Sequence, residues 1–484
     1  MRKLFKKIQP QDLTLEKKNL NIVIAGLGKV GSYLATTLAN ENHNITVVDI
    51  NPAKVQDITQ EIDVLGAQGS IIDSKTINDL DMQGSDLFIA VTTSDEINLL
   101  ACLLAKKAGC SRTIGRVRAP EYAESLDYFK EQLGLDMVIN PEQLAAEEIE
   151  RVLSLPGAID VDEFSKDSST IYKLRIKPGS LLDGMPVKNV PLKVHPQVLV
   201  CVDERDKKAY IPDGNFVLKG NDFVSIVGTR KSAEIFIEKA GILSAPAQRI
   251  MIIGASKIAH YLTNLLEKRK ARLTILDRDP KAAQAFELNH PKASVIVADA
   301  SDRYAMVENG LEEMDALVTL TGMDEENVFL SMFGNRKTGL KTVTKVNRDF
   351  YNEIIQDLDL DTLINSKRLM AEYIIRHVRA LANSSGSNVE TVHKLAHDQV
   401  EALEFTVAPD SKLIGIPLSE LPLKSHVLIS LINRNGEMIF PRGSDEIQAG
   451  DSVIVITTRI GFKDLSEILE SPKPGTPLSK EKSE

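Results

Sequence analysis

The chain has 484 residues, 43% hydrophobic and 26% charged, with a formal net charge of −10. That length suits roughly three domains or more, the composition is ordinary for a soluble globular protein, and the acidic balance argues against a general nucleic-acid binder, which needs a basic face. No apolar run approaches the roughly 20 residues that span a bilayer, and three cysteines, Cys102, Cys110 and Cys201, without CxxC spacing read as reduced, structural thiols of a cytosolic protein.

Residues 1–18, MRKLFKKIQPQDLTLEKK, read as a basic solvated tail that lacks the apolar core of a signal peptide. An apolar run, Ile22 to Ala25, then ends in Gly26-Leu27-Gly28-Lys29-Val30-Gly31. A helical pattern follows, and a second apolar run, Ile45 to Val48, closes on Asp49. The order strand, glycine loop, helix, strand, acid is what a dinucleotide-binding unit requires. Gly26 allows the tight turn, Gly28 lets backbone approach a pyrophosphate, and Gly31 lets the helix pack on the strand. The first amides of the helix face the phosphates, where its dipole favours anions. Asp49 is placed to accept hydrogen bonds from ribose hydroxyls. The bland alternative is a Rossmann-type turn that binds nothing.

A third apolar run, Asp86 to Val91, leads into Thr92-Thr93-Ser94-Asp95-Glu96, a Leu- and Ala-rich helix and the short strand Thr113 to Val117. Thr92 and Thr93 follow a strand at the carboxyl edge, where open α/β sheets bind ligands, and one of them is expected to cap the following helix. Arg116, near a strand end, can pair with a phosphate or form a surface ion pair. Asn140 to Leu155 has an N-cap, a proline at its first position and acids near its start, so it reads as a helix, stopped by Pro156-Gly157. From Ala158 to about Leu243 short alternating runs and turn signals predict a small β-rich module with little room for a catalytic cleft.

At Arg249 the first pattern returns. Gly26 pairs with Gly254 and Asp49 with Asp277, both offset by 228; Thr92…Asp95-Glu96…Asn98 pairs with Thr321…Asp324-Glu325…Asn327, offset by 229. Lys177-Pro178-Gly179-Ser180 pairs with Ala408-Pro409-Asp410-Ser411 at 231. A near-constant offset over this many landmarks marks a duplication. The expected division is a tail at 1–18, a first Rossmann domain at 19–140, a linker helix at 141–157 and a small module at 158–245. A second Rossmann domain follows at 247–366, then a linker helix at 367–387, a second module at 388–472 and a polar tail at 473–484. The fold class is α/β: two Rossmann-type domains with doubly wound parallel sheets, each followed by a small α+β module. His393 and His397 have the spacing of a helical metal pair, but the repeat places this region in strands, so they read as solvated or hydrogen-bonded histidines.

With both halves in view, the chain resembles the TrkA family, peripheral subunits of bacterial Trk potassium uptake systems, from about residue 20 to 472. The carriers are Gly26 to Gly31, Ile45 to Asp49, Ala90 to Glu96, Gly115 to Tyr122 and Pro141 to Ala158. The resemblance implies two RCK-type nucleotide-binding domains, each with a TrkA-C module, and NAD(H) bound through Gly26, Leu27, Gly28, Lys29, Val30, Asp49, Thr92, Thr93 and Arg116. It also implies a homotetrameric ring, cytoplasmic and peripheral on the inner face of the membrane, that gates a TrkH-type channel subunit. Lys29 bears on the ligand: related ring proteins that bind ATP or ADP carry an arginine in that loop, so those nucleotides stand beside NAD(H). In the second copy Ser256 stands where Gly28 would be, Ala259 replaces Gly31 and Lys345 takes the place of Arg116. A side chain at the second glycine crowds a pyrophosphate, so the site of Gly254 and Asp277 is expected to be weak or empty. Two rivals share parts of the pattern. A nicotinamide-dependent dehydrogenase needs a substrate domain and a proton-transfer group, and neither is visible. A sensor subunit of another cation transporter shares every motif.

Overall fold

The structure, a computed structural model, describes residues 19–123, 133–155, 157–164, 169–242, 246–338, 340–348, 360–383, 389–396, 399–459, 461–462 and 464–470. Both predicted tails and His397 lie outside the described residues. The chain gathers into two compact units, one of Asn19–Asp160 with Ser244–Val378, the other holding Val161–Leu243 and Arg379–Glu484.

The first unit holds two parallel sheets of the same topology. Strands β1 (Asn21–Ala25), β2 (Asn44–Asp49), β3 (Leu65–Gln68), β4 (Leu87–Ala90), β5 (Arg112–Arg116) and β6 (Met137–Ile139) form a sheet in the order β3-β2-β1-β4-β5-β6. The second copy comes after the first five strands of the other unit. Its strands are β12 (Arg249–Ile253), β13 (Arg272–Asp277), β14 (Ser294–Val297), β15 (Ala316–Thr319), β16 (Lys341–Lys345) and β17 (Thr362–Ile364), and they repeat the order. Ile22 stands between Ile45 and Leu87, and Ile250 between Leu273 and Ala316. The central strands are buried along nearly their whole length, as helices on both faces demand. Strand order reverses between β1 and β4, which opens a crevice at their carboxyl ends.

The helix Pro141–Ser154 is capped by Asn140, whose Oδ1 accepts from the Glu142 and Gln143 amides at 3.0 and 3.1 Å. Its apolar stripe, Ala145, Ala146, Ile149, Val152 and Leu153, joins the core of the second Rossmann domain with Ile250, Ile252 and Leu262. Asn140 Nδ2 donates to the Tyr261 hydroxyl at 2.8 Å, and Arg269 reaches Glu150 at 2.8 Å. Burying Ile149, Val152 and Leu153 contributes about 1.5–3 kcal/mol each, so this helix belongs energetically to the domain after it.

The second unit carries two five-stranded sheets. The first comprises β7 (Ala158–Glu163), β8 (Ser169–Arg175), β9 (Val198–Arg205), β10 (Lys208–Tyr210) and β11 (Phe223–Thr229) in the order β10-β9-β11-β8-β7. The second comprises β18 (Val389–Leu395), β19 (Val400–Thr406), β20 (Val427–Arg434), β21 (Glu437–Ile439) and β22 (Ser452–Thr457), ordered β18-β19-β22-β20-β21, the same arrangement read from the other edge. One apolar cluster takes Ile171, Cys201 and Val227 from the first sheet and Ala402, Leu431 and Ile456 from the second. His393 lies on β18, buried and edge-on to Phe164 with ring centroids 4.9 Å apart, so it is a packed core side chain and not a solvated one. All three cysteines are free and buried, and burial pushes the Cys201 thiol up to about 12.

Candidate nucleotide-binding site

The glycine loop is built as its spacing demands. Gly26 has φ +100°, and a Cβ there would come within 2.8 Å of the Thr92 amide nitrogen, so only glycine fits the turn. A Cβ at Gly31 would lie 1.9 Å from the Gly26 carbonyl oxygen, so its absence lets the helix Lys29–Asn40 close on the loop. Gly28 differs from both. Its φ is −80° and a Cβ would meet nothing within 4 Å, so no contact inside the fold requires glycine there. It is the N-cap of the helix and supplies no capping side chain, which leaves the first amides to another acceptor.

Asp49 braces this loop. Its Oδ2 accepts from the Leu27 amide at 2.7 Å and its Oδ1 from the Asn51 amide at 2.8 Å. Leu27 and Val30 turn into the core, so they serve through their backbone. Lys29 is exposed and turns away from the loop, donating to the Asn347 carbonyl of the second Rossmann domain at 3.4 Å.

The far side of the crevice is organised by Asn98, fully buried in the helix Asp95–Lys107. Its Oδ1 accepts from the Thr92 amide at 2.9 Å and the Thr92 hydroxyl at 2.7 Å; its Nδ2 donates to the Thr92 and Arg116 carbonyls at 3.3 and 2.9 Å. The Arg116 guanidinium closes the ring by donating to the Thr92 carbonyl. Thr92 and Arg116 are thus brought together, whereas Thr93 stands exposed beside them. Neither threonine caps the helix: Ser94 does, accepting from the Ile97 amide at 3.2 Å. Its hydroxyl lies three residues before that amide, the proper reach, while Thr92 is committed to Asn98.

A polar cluster surrounds this edge. Asp95 Oδ2 accepts from the Arg118 and Ala119 amides at 2.8 and 2.9 Å, and Arg118 Nε donates to Glu142 Oε1 at 2.7 Å. Burial pulls the Arg116 guanidinium below its usual range and Arg118 adds to this, while Asp95 and Glu142 oppose it. From the second domain, Lys367 is lowered by burial and by Lys29 and Arg118, so cations of both Rossmann domains gather here. Arg116 Nε, Asp95 Oδ1 and Glu142 Oε2 are buried without a hydrogen-bond partner among the described residues.

The second copy reproduces the frame and closes the opening. Gly254 has φ +100°, and Asp277 accepts from the Ala255 amide at 2.7 Å and the Asp279 amide at 2.8 Å. Asn327 holds Thr321 and the Lys345 carbonyl as Asn98 holds Thr92 and Arg116. Yet Ser256 caps its helix, its hydroxyl accepting from the Ala259 amide at 3.3 Å. Asn347 Nδ2, at the position of Arg118, fills Asp324 Oδ1 at 3.0 Å. Asn98, Asp95, Arg118 and Glu142 were not among the predicted site residues, although the recurrence of Asp95 and Asn98 as Asp324 and Asn327 was the available signal. Among the described residues no group of three His, Cys, Asp or Glu could hold a metal, and no helix is long and apolar enough to cross a membrane.

Two Rossmann sheets with a braced glycine loop, each followed by a five-stranded antiparallel module, define an RCK-type architecture. The RCK domain of GsuK has it, at a TM-score of 0.56 over 93% of both chains and 17% identity, as does the GsuK channel bound to NAD, at 0.57 over 93% of this chain and 78% of that one, with 16% identity. The TrkA-N domain family matches residues 22–141 and 250–366, and the TrkA-C domain family matches residues 402–470. The chain belongs to the TrkA family of potassium uptake proteins. It is 29% identical over 450 residues to the Trk system potassium uptake protein TrkA homolog of Archaeoglobus fulgidus, covering 93% of this chain and 100% of that one. To the TrkA of Haemophilus influenzae it is 27% identical over 446 residues, 90% of this chain and 95% of that one. Only the second module matches the TrkA-C family, but the first has the same strand order.

Proposed function

We propose that the protein is a peripheral regulatory subunit of a Trk-type potassium uptake system that binds NAD(H) in its first Rossmann domain and gates a TrkH-type membrane subunit. Gly26, Gly28, Gly31, the loop backbone and Asp49 hold the adenosine and pyrophosphate, while Thr92 and Arg116 line the far end. The second domain, with Gly254 and Asp277, acts as a scaffold. The observation that carries this reading is the difference at one position: Gly28 leaves the helix N-terminus uncapped and open, whereas Ser256 caps its counterpart. ATP or ADP is the alternative ligand, since an open helix N-terminus accepts any phosphate. The protein works as a homotetrameric ring on the inner face of the membrane and turns over no substrate.

Such a ligand shifts the ring between two shapes only by as much as it prefers one of them, so the response to ligand exchange is several-fold to roughly a hundredfold. Calorimetry with NADH is expected to find one site per chain. In vesicles holding channel and ring, Arg116→Ala is expected to leave assembly intact and blunt the nucleotide response of potassium flux. Two equivalent sites per chain, or an unchanged flux response in the variant, would sink the reading.

A further inference from the structure

We propose that the first Rossmann site reads a primary carboxamide at the far end of its ligand, through Arg116 Nε, Asp95 Oδ1 and Glu142 Oε2, and so selects nicotinamide dinucleotides over adenine nucleotides. The inference rests on the reading above that this domain binds a nucleotide, and goes further by naming the group recognised and its readers.

These three atoms are buried and lack partners among the described residues. Buried polar atoms are almost always hydrogen-bonded, so each orphan points to a group that completes it. The fold itself does not demand them, since the second copy fills the counterpart of Asp95 Oδ1 with Asn347. The orphans also share a place. Asp95 opens the helix after β4, Arg116 ends β5, and Glu142 lies in the first turn of the helix after β6, so all three stand at carboxyl ends of adjacent strands. Arg118 ties them together, giving its amide to Asp95 and its Nε to Glu142.

Asp49 lies at the end of β2, on the other side of the glycine loop, and fixes the adenosine half of a ligand there. The far half then extends over β4, β5 and β6. The three unsatisfied atoms comprise one donor and two acceptors. A primary carboxamide offers one carbonyl acceptor and two N–H donors, which matches that count. A terminal phosphate or a carboxylate offers only acceptors, so it would leave both carboxylate oxygens without a donor.

The test uses the full chain and three ligands: NAD+, its deamido form (a carboxylate in place of the carboxamide) and ADP-ribose, which lacks the nicotinamide. NAD+ is expected to bind on the order of tenfold or more tightly than the deamido form. Glu142→Gln should narrow that gap while leaving ADP-ribose affinity unchanged, which shows that the variant remains folded. Equal affinity for NAD+ and the deamido form would assign the three positions to an ordered water and overturn the proposal. A gap left intact by Glu142→Gln would also overturn it. If none of the three ligands binds, the reading of the site as a nucleotide pocket fails, and this proposal with it.

Discussion

Replacing Gly28 by serine separates binding from folding, because the structure needs glycine there for neither φ nor space. Its φ of −80° suits any residue, and a Cβ meets nothing within 4 Å. Serine also makes a better N-cap than an unassisted backbone, as Ser256 does in the second copy. Glycine and serine differ at this position by only a few tenths of a kcal/mol, so stability should hold or rise slightly. Binding should respond very differently. A hydroxymethyl group would stand where the pyrophosphate approaches the helix amides, and each charge-assisted hydrogen bond lost there is worth about 1.5–3 kcal/mol. One such loss weakens affinity roughly tenfold to a hundredfold. Gly26→Ala and Gly31→Ala serve as contrasts, since their Cβ atoms would collide at 2.8 and 1.9 Å and should lower stability along with binding. Thermal denaturation paired with NADH calorimetry reads both quantities. A folded Gly28→Ser protein that binds NADH within twofold of wild type would refute the assignment of phosphates to this loop.

Two further predictions concern pH. Asp203 is fully buried, with Arg205 3.8 Å away but already engaged with Asp222, and its counterpart in the second module is Ile432. Burial, reinforced by Asp222, pushes its carboxyl up to about 7 from 3.8. The proton is held more tightly in the fold than in the open chain, so this module should lose stability as pH rises from about 4 to about 7, by roughly 4 kcal/mol at most. Asp203→Asn should therefore raise the urea midpoint at pH 8 and lose that advantage near pH 4; a constant difference would count against the argument. His290, buried beside His260 at 2.8 Å, is lowered to about 4 by burial and then by His260, with Glu267 3.9 Å from its other nitrogen and Lys292 beyond. Its neutral form is favoured in the fold, so the second Rossmann domain should weaken as pH falls from about 6.5 toward 4. Substituting isoleucine, the residue at this place in the first copy (Ile62), should flatten that slope in a proteolysis assay; an unchanged slope would acquit His290.

The duplicated sheets could be read from sequence because parallel strands buried on both faces appear as short continuous apolar runs, and because Gly26 and Asp49 recur as Gly254 and Asp277. What escaped were contacts between side chain and backbone across long separations. Asn98 reaches the Arg116 carbonyl 18 residues away, and no periodicity predicts such a bond. The apolar stripe of Pro141–Ser154 announced a buried face but not that the core it fills belongs to the second domain. Lys29 looked like a phosphate ligand by position, yet its flexible stem carries the ammonium to Asn347. The expected cap was one of Thr92 and Thr93, but serine suits the role as well, and with Thr92 held by Asn98 it is Ser94 that caps the helix. Asp203 lies just past the apolar run Val198–Val202, and burial of a lone acid there has no sequence signature.

The two copies therefore share a frame and differ in what they leave open. In the second, a serine caps the helix and an asparagine satisfies the edge aspartate, so the fold itself supplies these partners. In the first, the helix is uncapped and three buried atoms have no partner among the described residues, positions that the proposed ligand would complete. Ligand present at a hundred times its Kd adds about 2.7 kcal/mol to whichever state binds it. On the proposed reading, the helix Pro141–Ser154 would give that energy a path out of the site. Glu142 bears one of the orphans, lies in the first turn of Pro141–Ser154, and is followed seven residues later by Ile149 in the core of the second domain. A ligand held by Glu142 would, on that reading, pull on a helix whose other face is packed into the neighbouring domain. Because a packed core deforms in discrete steps rather than continuously, that pull can shift the pairing of the two domains between arrangements. On the proposed reading, the asymmetry between the copies would let one bound nucleotide produce a change that the whole pair transmits.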